Sequence, residues 1–151
     1  TRAVADLIMM VRHPKGEGAG VRRNALCYNF DLTTTLMNLL GEAIPETMEG
    51  IDLWPVVQGK KPGRDRVTIA WGPEVTYIDD RWWCNTTIWG GNPLLYDLRS
   101  DPQLTANLAA RHPQVVVQAV EICREDAGGE FPEELRNAAG APGCTPILDS
   151  D

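Results

Sequence analysis

The chain has 151 residues, of which 43% are hydrophobic and 23% are charged, a composition that is typical of one globular domain and excludes a disordered chain. Its formal net charge of -7 argues against nucleic-acid binding, which needs a basic face to displace counterions from phosphates. No apolar run approaches the ~20 residues that span a bilayer, so we expect a soluble protein without a membrane span.

The first predicted element is a buried strand. Residues 5–12 form a nearly continuous apolar run that ends at His13-Pro14. A run of this length, bounded by proline, is typical of a strand that is buried on both faces of a parallel sheet. Because the chain opens almost directly on this run, we expect it to be a fragment of a longer protein. Residues 15–20 follow as a glycine-containing loop, which lacks the Lys-Ser/Thr ending of a phosphate-binding loop.

The clearest helix pattern lies over Asp31–Leu40. Apolar residues recur there at helical spacing and predict one apolar stripe: Leu32, Leu36, Leu39 and Leu40. Asp31 is predicted to be the N-cap, and Gly41 supplies the C-terminal stop. A shorter helical turn is predicted over residues 51–57, with Pro55 near its start.

From residue 66 onward the apolar pattern changes to that of β-strands. Four runs rich in β-branched and aromatic residues are predicted as strands: residues 67–71, 75–78, 81–88 and 94–98. Asp79-Asp80 separates two of these runs and is predicted to be a turn rather than a pair of metal ligands. Short strands with tight turns in succession predict an antiparallel sheet.

A helix over residues 113–125 is predicted to pack on this sheet, with Pro113 at its first turn. The fold class is therefore α/β in the form of an α+β fragment: a buried strand and a helix from a large mixed sheet, then a small antiparallel sheet with a packed C-terminal helix. The predicted domains are residues 1–59, 60–126 and an irregular tail over 127–151, with a short helix near residues 132–138.

The cysteines and histidines do not form a metal pattern. The four cysteines are too far apart for paired zinc ligands and are interpreted as isolated thiols: Cys27, Cys84, Cys123 and Cys144. Isolated thiols favour a reducing compartment, so the cytoplasm is preferred over the periplasm. His13 and His112 each precede a proline and are interpreted as structural residues.

Four sequence blocks, in the same order, resemble the C-terminal portion of the sulfatases, within the alkaline-phosphatase superfamily. The first is the apolar run that ends at Arg12-His13-Pro14, and the second is the Asp31–Gly41 segment, in which Thr34 replaces the proline of the family pattern. The third runs from Met48 to Gly59. The fourth joins Leu95-Tyr96-Asp97-Leu98 to Asp101-Pro102 and Asn107-Leu108.

This resemblance implies that the reactive groups lie outside the chain. The sulfatases use a divalent metal, usually calcium, and a formylglycine made within a Cys/Ser-x-Pro-x-Arg motif, both of which precede this portion. Cys144-Thr145-Pro146 begins like that motif, but Ile147-Leu148 follows where a small residue and an arginine belong. We therefore predict no catalytic residue, metal ligand or cofactor in this chain, and inactivity in isolation.

The resemblance also implies a place beside the substrate cleft and a set of partners. The residues predicted to line the rim of the cleft are Trp71, Arg81, Trp82 and Asn85. The predicted partners are the N-terminal catalytic domain of the parent protein and, through it, a small sulfate ester. Self-association is also expected, because a fragment exposes apolar surface. Two alternatives stay open: a non-catalytic binding or interaction module, and the C-terminal part of a related phosphodiesterase or phosphonate hydrolase.

Overall fold

The computed structural model describes residues 9–13, 15–16 and 19–139, and the chain divides into two compact units. The first unit ends at Asp65, and the second starts at Arg66. Across the described ranges, no helix has both the length and the apolar character needed to cross a membrane. The described residues form helices and a small antiparallel sheet, which confirms the α+β class.

Helix α1 spans Asp31–Leu40, as the apolar spacing predicts. Gly41 ends it in the left-handed conformation at φ 75°, which glycine adopts without steric cost. The predicted N-cap is wrong, because Phe30 occupies that position and Asp31 is the first helical residue. The Asp31 carboxylate instead accepts hydrogen bonds from the backbone N–H groups of Tyr28 and Ile51, so its oxygens are used outside the helix.

The buried side of α1 is polar. Asp31, Thr34 and Thr35 are buried, whereas three leucines of the predicted apolar stripe are exposed. Thr35 Oγ1 donates to the Asp31 carbonyl and accepts from the backbone N–H of Leu53, both at 2.7 Å. Gly50 lies so close to Thr34 that a Cβ atom at position 50 would collide with the Thr34 side chain. Hydrogen bonds and one close backbone approach therefore position this helix.

Apart from α1, the described residues of the first unit form little regular structure. Helix α2 spans Trp54–Val57 with Pro55 in its first turn, and an isolated bridge joins Leu26 to Arg64. The first predicted strand is not seen over residues 9–12, where the backbone forms no strand and the side chains are exposed. A buried strand needs hydrogen-bonded neighbours on both sides, which the described residues do not supply at this segment. Residues 5–8 of that prediction lie outside the described part.

The second unit contains a four-stranded antiparallel sheet in the order β1-β2-β3-β4. The strand bounds are close to the predicted ones: β1 Arg66–Trp71, β2 Glu74–Asp79, β3 Trp82–Thr87 and β4 Leu94–Asp97. Each strand pairs with the next along the chain; two-residue turns connect β1 to β2 and β2 to β3, and a six-residue loop over 88–93 connects β3 to β4. Asp79 ends β2 and Asp80 follows in the predicted turn to β3; Asp79 Oδ1 accepts the backbone N–H groups of Arg81 and Trp82.

Helix α3, Pro113–Asp126, packs on one face of the sheet. Its apolar side is buried: Val116, Ala119, Val120 and Cys123. Two buried clusters hold it, one centred on Cys84 and Leu95 and the other on Val75 and Ile88. Phe131 is buried in the second cluster, and helix α4 follows over Glu133–Ala139. Burial of these side chains supplies the main stabilisation of the unit.

The fourth sequence block forms the connection between β4 and α3. Asn107 Oδ1 accepts the backbone N–H groups of Leu95 and Ala109, and the N–H of Leu108 donates to the Leu95 carbonyl at 2.7 Å. A short 3₁₀ helix, Ala109–Arg111, then leads into α3. Leu95 and Asn107, although 12 residues apart in the sequence, are therefore held together by hydrogen bonds along the edge of β4.

Candidate functional site

Arg81 and Trp82, two of the predicted rim residues, lie together at the start of β3. The Arg81 guanidinium lies 4.6 Å from the centre of the Trp82 ring, a cation–π arrangement. Arg81 Nε also donates to Asp97 Oδ2 at 3.0 Å. The Arg81 side chain is 48% exposed, whereas that of Asp97 is only 13% exposed. The guanidinium is therefore held in position by two groups while part of it faces solvent.

Asp97 is ionised at neutral pH because its partners stabilise the charge. Burial by itself would raise the pKa of Asp97, but the hydrogen bonds from Arg81 and from the backbone N–H of Arg99 outweigh it. The net effect is a pKa below the ordinary value for aspartate. Since the Arg81–Asp97 pair is formally neutral, an anion would be bound by hydrogen bonds to the terminal guanidinium nitrogens rather than by excess positive charge.

Aromatic and acidic groups complete this end of the sheet. The ring of His112, at the start of α3, lies 5.4 Å from that of Trp82, centre to centre. Tyr77 donates its hydroxyl to Asp79 Oδ2 at 2.8 Å, and burial together with this hydrogen bond raises the pKa of Tyr77. Tyr77 therefore remains protonated at neutral pH and acts as a donor that orients Asp79.

The other two predicted rim residues lie elsewhere. Trp71 ends β1 and pairs in register with Glu74, at the end of the sheet opposite to Trp82. Asn85 and Trp82 are three residues apart on β3, so their side chains project from opposite faces. The Asn85 amide donates to Thr76 Oγ1 at 2.9 Å. The structure thus groups Arg81 with Trp82 and separates both from Trp71 and Asn85; the rim role of each stays a prediction.

Asp97 and His112 belong to the site but were not predicted for it. Asp97 is 16 residues from Arg81 and reaches it because β3 pairs with β4. The Leu-Tyr-Asp-Leu block did contain a signal, since an aspartate at the end of an apolar strand is unusual and requires a partner. His112, interpreted from sequence as structural, lies in the helix start that packs on Trp82.

The described residues do not form the metal site that the resemblance implies for the parent protein. Among residues 9–13, 15–16 and 19–139, no three histidine, cysteine or acidic side chains lie close enough together to hold a metal ion. Cys84 and Cys123 are buried free thiols, and burial raises the pKa of each to about 12. A protonated, buried thiol is neither a nucleophile nor a metal ligand. Cys144-Thr145-Pro146 lies outside the described residues.

Solved structures provide a comparison for this fold. No family model matches the sequence, and no curated protein matches it. A 2-O glycosaminoglycan sulfatase is 24% identical with a TM-score of 0.57, over 65% of this chain and 24% of its own. A protein from Bacteroides thetaiotaomicron that is assigned as a sulfatase is 24% identical with a TM-score of 0.58, over the same shares. A protein of glycosaminoglycan metabolism in Bacteroides thetaiotaomicron is 22% identical with a TM-score of 0.58, over 70% of this chain and 26% of its own.

The chain has a sulfatase-like fold. At 22–24% identity the likeness concerns the fold, and it agrees with the resemblance that the four sequence blocks carry. The chain spans about a quarter of the length of the structures that it matches. The sulfatase-like fold therefore extends well beyond these two units in those proteins.

Proposed function

We propose that this chain is the C-terminal part of a sulfatase-type sulfuric ester hydrolase, in which it completes the fold and borders the substrate cleft. The observation that carries the proposal is the likeness in fold to sulfatase structures, of which the chain spans only 24–26%. The four sequence blocks support the proposal as well, because they resemble the C-terminal portion of the sulfatases. Calcium and formylglycine, which the sulfatases use, would then be held by the remaining part of the parent protein.

Within this proposal, Arg81 and Trp82 are the rim residues that the geometry favours. The Arg81 guanidinium is fixed by Asp97 and Trp82 and is half-exposed, so it can donate to a sulfate or carboxylate oxygen without losing side-chain entropy on binding. Trp82 offers an aromatic surface beside it. Such contacts would bind substrate and transition state equally and would therefore act on KM more than on kcat.

The first test is the genomic sequence ahead of Thr1. A reading frame that continues upstream and contains Cys/Ser-x-Pro-x-Arg supports the proposal, whereas a coding sequence that starts near Thr1 would overturn it. The second test is hydrolysis of an aryl sulfate, and of sulfated glycosaminoglycan sugars because one similar structure is a glycosaminoglycan sulfatase. We expect turnover by the full-length protein and none by the 151-residue chain. Turnover by the isolated chain that a chelator abolishes would contradict this expectation.

The rim role is tested by Arg81→Ala in the full-length protein. We expect KM to rise about fivefold with kcat nearly unchanged, because an exposed charged contact contributes about 1 kcal/mol. Arg124→Ala is the matched control, since Arg124 has a similar exposure of 49% and forms a surface ion pair on α3. Equal kinetics for the two variants would remove Arg81 from the rim while leaving the sulfatase proposal intact.

A further inference from the structure

We infer that the exposed apolar side of α1 is the surface by which this chain docks on the catalytic part of the enzyme. This leucine face consists of Leu36, Leu39 and Leu40, which are 50%, 53% and 75% exposed. The inference rests on the proposed function, since that function supplies the partner. The inference adds which residues make the contact, and it implies that the partner surface is apolar.

The orientation of α1 is the opposite of that expected for a surface helix. An amphipathic helix normally turns its apolar stripe toward the core and its polar residues toward water. In α1 the polar residues at positions 31, 34 and 35 are buried, and the three leucines of the leucine face are exposed. Several half-exposed leucines on one helical face form a contiguous apolar patch, which is typical of an interaction surface. Phe30 before the helix and Ile44 after it are also exposed.

Polar contacts on the inner side prevent α1 from rotating to bury the leucines. The Asp31 carboxylate receives two hydrogen bonds from Arg64, and Thr35 is bonded to the backbone of Leu53. Rotation would leave a buried carboxylate and a guanidinium without partners, which costs more than burying leucine side chains would return. The leucine face therefore stays exposed in this unit, and only a partner from outside the unit can bury it.

The missing catalytic part is the occupant that the observations favour. A membrane surface is disfavoured because α1 contains no lysine or arginine, whereas interfacial helices carry basic residues beside the apolar face. A second copy is disfavoured because three leucines cover far less than the ~800 Å² per partner that a stable interface buries. The catalytic part can contact further surfaces of this chain beside the leucine face, so that face need not supply the whole area. About three quarters of a sulfatase-like chain lies outside the matched portion.

The test uses two co-expressed polypeptides: this chain with a tag, and the polypeptide encoded ahead of Thr1. We expect the two to co-purify, and we expect Leu36→Glu/Leu40→Glu to weaken their association at least about tenfold, because charges would enter an apolar contact. Val117→Glu is the control, since Val117 is a 41% exposed apolar residue on a different helix, α3. It should leave the affinity within about twofold of the unchanged chain.

Three results would overturn the inference. They are equal binding by the double variant and the unchanged chain, failure of the unchanged chain to co-purify, and a discrete dimer of this chain that the second polypeptide does not displace. Circular dichroism of the isolated double variant provides a fourth check, because substitution of exposed leucines should leave the thermal midpoint unchanged. Aryl sulfate hydrolysis by the same complex is measured separately: binding without turnover counts against the proposed function and not against the docking surface.

Discussion

At the scale of single residues, Asp31 connects three segments of the first unit. Its carboxylate is fully buried and accepts hydrogen bonds from the backbone N–H groups of Tyr28 and Ile51 and from the side chain of Arg64. The guanidinium of Arg64 in turn lies over the rings of Tyr28 and Phe30, at 4.8 and 5.5 Å from their centres. A buried charge with this many partners is tolerated only because every one of them is present.

We expect Asp31→Ala to destabilise the chain by about 3 kcal/mol, because it leaves the partly buried Arg64 guanidinium and two backbone donors without an acceptor. Urea unfolding followed by tryptophan fluorescence measures the change. The control is Asp80→Ala, which removes an exposed surface pair with Arg99 and should cost much less. Similar losses for the two variants would show that Asp31 does not anchor the unit.

The same carboxylate predicts a loss of stability in acid. Burial alone would raise the pKa of Asp31, but hydrogen bonds from Arg64, Ile51 and Tyr28 outweigh it and hold the pKa below the ordinary value. Because the folded-state pKa is the lower one, the unfolded chain binds the proton first as the pH falls. The stabilisation is complete above the unfolded value of about 3.9 and is lost as the pH falls toward the folded value.

We therefore expect the free energy of unfolding of the unchanged chain to fall as the pH falls below about 4, and to fall less steeply in Asp31→Asn. Urea unfolding at several pH values in this range gives both slopes. Arg64→Ala should also flatten the dependence, since it removes the main hydrogen-bond partner. A slope in Asp31→Asn as steep as in the unchanged chain would assign the acid sensitivity to other carboxylates.

At the scale of secondary-structure elements, β4 offers a matched pair of leucines. Leu95 is fully buried under α3, whereas its neighbour Leu94 is 38% exposed and projects from the other face of the sheet. We expect Leu95→Ala to lower the free energy of unfolding by about 3 kcal/mol and Leu94→Ala by less than about 1 kcal/mol. Denaturant unfolding of both variants tests this, and comparable losses would contradict the packing of α3 on that face.

Elements with a strong local pattern were predictable from the sequence. The bounds of α1 and α3 follow from leucine and valine spacing with Gly41 and Pro113 as end signals, and the four strands follow from β-branched runs between turns. The orientation of α1 was not predictable, because it depends on Arg64, which lies 33 residues from Asp31. Local periodicity identifies an apolar stripe and contains no information about what covers it.

The candidate site was predictable only in part, for a similar reason. Arg81 and Trp82 are adjacent in the chain, so their association needs no knowledge of the fold. The contribution of Asp97 depends on the pairing of β3 with β4, and that of His112 depends on the docking of α3. Trp71 and Asn85 are separated from Arg81 and Trp82 by the direction of β1 and by strand alternation, neither of which can be read from the local sequence.

At the scale of the whole molecule, the leucine face predicts how the isolated chain behaves in solution. Without its proposed partner, the chain exposes apolar side chains that associate weakly and non-specifically. We expect light scattering to show an average mass that rises with concentration, and we expect Leu36→Glu/Leu40→Glu to lower it. A single monomeric species at all concentrations for the unchanged chain would count against the self-association expected from the sequence.

The contact between Gly50 and Thr34 places a narrow constraint on how this protein can evolve. A side chain at position 50 would push the following residues away from α1, and the backbone donors of Ile51 and Leu53 would leave Asp31 and Thr35 together. The absence of a Cβ atom at Gly50 thus allows both of these hydrogen bonds to form. In a saturation-mutagenesis library, position 50 should retain glycine almost alone, while exposed Glu49 beside it should accept many replacements.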